Sequence, residues 1–176
     1  MISFSMSNRR IERLPFSKNA VGGWREKDET HANWPVVYVL DDDARDEEGK
    51  KKKLRDVYVG ESLNAAARMR QHLETKSKEH LRNIRVIFDE SFNKSVCLDL
   101  ESYLIKMLAG DGSNQVLNRN NGITNSRYYQ REIYRESFRN IFLQLKRDDM
   151  FTRTIPEIEN DTPLLPDRTR MNVGHR

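Results

Sequence analysis

A single cysteine, Cys97, leaves the 176-residue chain without a partner for an internal disulfide and without the thiolates of a structural zinc site. It lies in an apolar helical run, where a small core residue is the expectation. No apolar run approaches the ~18 residues of a membrane span. The first stretch, Met1 to Arg13, carries charge but no apolar signal core. The expected protein is soluble and cytoplasmic, not secreted, with no membrane partner. Equally absent are a Gly-Lys-Ser phosphate loop, a His-Glu-x-x-His pair and a Gly-x-Ser-x-Gly elbow. Kinase, zinc-protease and serine-hydrolase chemistry therefore fall away. No internal repeat is visible either.

What the chain does have is charge. Charged residues make up 33% and hydrophobic ones 36%, with a mean hydropathy of −0.84. That composition is polar for a globular protein yet short of a disordered one, and the length suits one domain. A net charge of +4 fits a polyanionic partner without identifying it.

Residues 1–34 show no sustained period and are expected to be an irregular N-terminal arm. Val36 to Leu40 and Asp56 to Gly60 are β-rich runs. Between them Asp41 to Arg55 is dense in Asp, Glu and Lys around Gly49, a solvated loop joining two antiparallel strands. Ser62 or Asn64 can cap a helix to about Leu73, with Leu63, Ala66, Met69 and Leu73 as its buried stripe and Arg68 and His72 on the opposite side. Ile84 to Phe88 is a third strand, and Lys94 to Ala109 an apolar helix. Asp111 to Asn125 is expected to be loop, Tyr128 to Lys146 a helix, and the proline-bearing tail after Thr154 extended. The layout is an arm at 1–34, a core at 35–120, a helical extension at 121–150 and a tail at 151–176.

Glu101 is the most informative residue. In the helix 94–109 the polar residues Asp99, Ser102 and Lys106 share one side, but Glu101 has Cys97, Leu98, Leu104, Ile105 and Leu108 as its neighbours. An ionised carboxylate turned inward is costly unless a cation or several donors meet it. A hard divalent cation and an internal salt bridge to arginine both satisfy that condition. Tyr38 and Tyr58 lie in adjacent predicted strands and can approach each other across the hairpin. A tyrosine base needs a nearby cation to favour its phenolate. Arg68 can grip a phosphate with two parallel hydrogen bonds, and His72 lies one helical turn beyond it. Each of these side chains alone is as consistent with packing or solvation as with chemistry.

The order of the parts resembles the GIY-YIG endonuclease superfamily. Val36-Val37-Tyr38 stands at the first motif, with Val-Val-Tyr in place of Gly-Ile-Tyr, and Tyr58-Val59-Gly60 matches the second. Arg68 and His72 come next at the family's spacing, Leu100 to Ile105 resembles its glutamate helix, and Leu117-Asn118 its late asparagine. Over roughly residues 35–120 the resemblance implies an α+β fold, a small three-stranded antiparallel sheet flanked by helices. It implies a one-metal, tyrosine-assisted endonuclease acting on DNA with Mg²⁺ or Mn²⁺. Tyr38 or Tyr58 would activate water, with Tyr38 preferred. Arg68 would stabilise phosphoryl charge, His72 would bond near the nucleophile, Glu101 would hold the metal and Asn118 would brace the site. Asn125 to Arg135 is similar to the segment joining this module to a helicase-like ATPase in some bacterial proteins. A fusion or association with such an ATPase, and a dimer, stay open. So do two other readings: a module that binds nucleic acid without cutting it, and a protein-interaction module built on the helix 128–146.

Overall fold

A computed structural model describes residues 8–119 and 131–161. Residues 120–125 of the expected Asp111–Asn125 loop, the start of the expected helix from Tyr128, and the tail from residue 162 lie outside those residues. The chain folds as an α+β protein around a five-stranded sheet of order β1-β4-β2-β3-β5. The strands are β1 (Arg9–Pro15), β2 (Val36–Asp41), β3 (Arg55–Ser62), β4 (Asn83–Asp89) and β5 (Asn114–Val116). The helices are α1 (Lys18–Lys27), α2 (Ala65–Leu73), α3 (Lys94–Asp111), α4 (Arg131–Arg147) and α5 (Ile155–Asn160).

The three strands expected from sequence form the antiparallel centre, with β2 between β3 and β4. Every residue of β2 is buried, as its unbroken apolar run requires of a strand covered on both faces. Val36, Tyr38 and Leu40 pack with α1 and α2, while Val37 and Val39 pack with α3 and α4. The acidic and basic stretch between β2 and β3 is the expected hairpin loop, turned at Gly49 with φ 81°.

Two further strands widen the sheet beyond the expected three. Within its described residues the arm is regular rather than irregular: β1 pairs antiparallel with β4 along its whole length, and α1 comes directly after it. Its charged sequence hid the strand because an edge needs one ladder and gains from charge on its open side. Arg9 meets Asp89 at 3.1 Å, and Trp24 Nε1 donates to Glu12 at 2.9 Å. At the other edge the expected loop contains β5, parallel to Arg55–Val57 of β3.

Helix starts are set by side chains. Asn64 accepts from Ala67 N at 2.9 Å, and Asn93 from Val96 N at 2.9 Å. Thr154 and Glu157 form a capping box, so Pro156 sits in the first turn of α5 where an extended tail was expected. Leu63 is 56% exposed rather than in the α2 stripe, because it precedes the Asn64 cap. Asp99 and Ser102 on α3 are buried rather than solvated, since α4 and α5 pack against that helix. Cys97 is fully buried, as expected. Among the described residues no helix is long and apolar enough to cross a membrane.

Candidate active site

β2 and β3 bring the tyrosines to one face of the sheet. Tyr38 is paired with Gly60 in register, and Tyr58 stands diagonally from it, two residues earlier on β3. The Tyr38 ring lies across Gly60 so closely that a Cβ at position 60 would overlap its hydroxyl. Glycine is there for that approach. Tyr38 is 1% exposed, whereas Tyr58 is half-buried at the rim.

α2 supplies the next two groups. Its inward residues Ala65, Ala66 and Met69 continue into His72, which is 7% exposed and not on the solvent side expected for it. One turn of helix beyond Met69 leads under the sheet, which is why the imidazole meets the phenols. Tyr38 Oη lies 2.7 Å from His72 Nε2, and the Tyr58 ring stands edge-on to His72 with centroids 5.1 Å apart. Burial first, and then the charges of Lys78 and Arg68, push the His72 pKa down to about 4. The imidazole is neutral at pH 7, and in the tautomer with its proton on Nδ1 the Nε2 atom accepts from the Tyr38 hydroxyl. Burial raises the Tyr38 phenol well above its usual range, opposed by the nearby Arg68 guanidinium. Tyr58 is raised by burial as well, with Arg68 again opposing. Arg68 is exposed, and Nη1 donates to Gln71 at 3.0 Å.

Glu101 reaches the site from α3, the helix on the other face. It makes no hydrogen bond or ion pair among the described residues, so no salt bridge to a described arginine forms. Burial first, and then the negative charge of Glu61, raise its pKa to about 7. Glu61 is itself held by Lys94 at 2.6 Å. Glu101 acts on both Tyr38 and Tyr58 through its charge.

These groups gather around β3, beside the stretch that has no strand partner on its outer side among the described residues. β5 pairs only with Arg55–Val57, so the later part of β3 lacks a strand on that side among the described residues. Asn118 takes the place of one: Val59 N donates to Asn118 Oδ1 at 2.9 Å, and Asn118 Nδ2 donates to Val59 O at 2.7 Å. A side-chain amide thus reproduces one rung of a ladder between Tyr58 and Gly60. All six residues singled out from sequence, Tyr38, Tyr58, Arg68, His72, Glu101 and Asn118, fall within this neighbourhood. Glu61, Lys78 and Arg119 were not foreseen. Glu61 comes directly after Gly60 and was within reach of sequence reasoning, whereas Lys78 arrives through a 3-10 turn at Lys76–Lys78 that no periodicity announces.

Among the described residues no group of three or more His, Cys, Asp or Glu side chains is gathered for a metal ion. A cation at Glu101 would therefore have few protein ligands and keep much of its water, as Mg²⁺ does. No family model, curated protein or solved structure matches the chain.

Proposed function

We propose that the chain is a metal-dependent endonuclease of the GIY-YIG type that hydrolyses DNA phosphodiesters. One observation carries this reading: a half-buried carboxylate with no ion pair among the described residues, acted on only at a distance by Lys94 and Arg68, lies near a tyrosine–histidine pair and a guanidinium that no carboxylate bridges. The two alternatives from sequence, a binding-only module and a protein-interaction module, give no reason for that juxtaposition.

Arg68 is exposed and free of any ion pair among the described residues, so it is available to seat a phosphate and hold charge as an oxygen leaves. Tyr38 serves as the base without first becoming a phenolate, which its burial opposes. Its oxygen takes a proton from the attacking water as its own proton moves along the 2.7 Å hydrogen bond to His72 Nε2. The incoming phosphate's negative charge favours the imidazolium so formed. Tyr58 walls the other side of the imidazole. Glu101, with Glu61 nearby, fits the oxygen donor that a hard cation such as Mg²⁺ or Mn²⁺ takes. Such a cation, when bound, would polarise the phosphate and stabilise the leaving oxygen.

The test is cleavage of supercoiled plasmid in Mg²⁺, Mn²⁺ and EDTA by the wild-type chain and by Glu101→Gln. Cleavage with metal, none in EDTA, and a loss of at least about 10²-fold in the variant with unchanged circular dichroism are expected. Wild-type cleavage rates from Glu101→Gln would overturn the proposal.

A further inference from the structure

Several described arginines and lysines pair with an acid: Arg9, Arg13, Lys52 and Lys94 each do so within 3.1 Å. The lysine run Lys50 to Lys53 of the β2–β3 loop follows the aspartates and glutamates of residues 41–48. Arg68, Lys78 and Arg119 behave otherwise. None of the three has a carboxylate partner among the described residues. Burial first, and then the charges of Arg119 and Arg68, push the Lys78 pKa down, which places both guanidinium groups near the Lys78 ammonium.

Their positions are fixed by neighbours other than acids. Lys78 Nζ lies 4.4 Å from the centroid of the Tyr58 ring, whose face holds the ammonium in place. Arg119 comes immediately after Asn118, which is pinned to Val59 by two hydrogen bonds. Mutual repulsion among three cations lowers stability unless an anion relieves it, and one phosphate at Arg68 leaves the other two uncompensated. A polymer with regularly repeated phosphates relieves all three.

We infer that Lys78 and Arg119 form a second phosphate seat beside Arg68, for backbone phosphates flanking the one at Arg68 on the same nucleic-acid strand. The inference rests on the proposed function only for the identity of the polyanion.

The experiment measures binding of a short labelled DNA duplex over a range of KCl, with EDTA present so that nothing is cut. Wild-type chain is compared with Lys78→Met/Arg119→Gln, where the methionine keeps the apolar stem on Tyr58. Lys50→Gln/Lys53→Gln, on the exposed hairpin loop, removes the same two charges and controls for net charge. Removing one phosphate interaction is expected to flatten the slope of log K against log [KCl] by about 0.9, so Lys78→Met/Arg119→Gln should flatten it by about 1.8 while Lys50→Gln/Lys53→Gln leaves it unchanged. Equal slopes in wild type and Lys78→Met/Arg119→Gln, equal flattening in both variants, or no salt-dependent binding by the wild type would each overturn the inference. Cleavage with unaltered slopes would remove this seat and keep the endonuclease. The expected slopes in a chain that never cuts would keep the seat and remove the endonuclease.

Discussion

The Glu101 carboxyl holds its proton to about pH 7, against 4.5 for an ordinary glutamate. A raised folded-state value means the native chain binds that proton more tightly than the unfolded one. Its contribution to stability is therefore full below about pH 4.5 and lost as pH rises toward 7. Glu101→Gln removes the loss. It is expected to be near neutral at pH 5 and stabilising at pH 8, by on the order of 1 kcal/mol once screening at this half-exposed site is allowed for. Thermal melts of both chains at the two pH values, without metal, check this; equal differences at both would show that the acid is not strained. His72 runs the other way. Its lowered value, about 4, gives stability that is present above pH 6.5 and lost as pH falls through 4. Glu101 was legible in sequence because a charge interrupted an apolar face. Burial of His72 was not, since one helix position decides whether a ring faces water or the sheet.

Strand β3 shows what can be read at the level of elements. Its inner partner β2 was evident from two β-rich runs and a charged loop. Its outer neighbour was not, because three residues of β5 carry no pattern and the next rung is a side chain. Asn118 is thus a structural member of the sheet as well as part of the site. Asn118→Ala removes both bonds to Val59 and is expected to cost about 1–2 kcal/mol. It also frees the segment between Tyr58 and Gly60, so cleavage should fall by more than the reduced stability accounts for. Urea unfolding read beside plasmid cleavage separates the two, and a variant with wild-type values in both would show that the amide is dispensable. The same limit hid β1 and α5: one was masked by edge charges, the other by a proline that sits in its first turn.

Across the whole molecule the expected arm, core and extension are one body. Phe138, Ile141, Phe142 and Leu145 of α4, with Ile158 of α5, share a cluster with Val37, Val59 and Leu104. An ionic network also ties them together. Arg85 on β4 is 3% exposed, pairs with buried Asp41 on β2, and donates to Asp148 after α4 at 2.9 Å. Arg13 on β1 reaches Asp148 at 2.8 Å. Burial pushes the Asp41 carboxyl up and Arg85 opposes it. Arg85→Met is expected to cost about 3–5 kcal/mol by stranding Asp41, and Asp41→Asn in the same chain should recover part of that. Strictly additive losses in denaturant unfolding would count against the network. Nothing in the sequence flagged it, since its members are far apart in the chain.

A cavity of about 290 Å³ lies at the far end of β3, against Ala44, Arg45, Lys52, Arg55, Ser113 and Asp149. None of the tyrosines, Arg68, His72 or Glu101 lines it. Those groups border the outer margin of a sheet, with the phenols in front and the carboxylate coming from behind. Among the described residues that margin has no far wall to fix how long a guest can be. If the proposed endonuclease reading holds, a filament laid over it would run on in both directions, and the middle of a long molecule would be as accessible as its terminus.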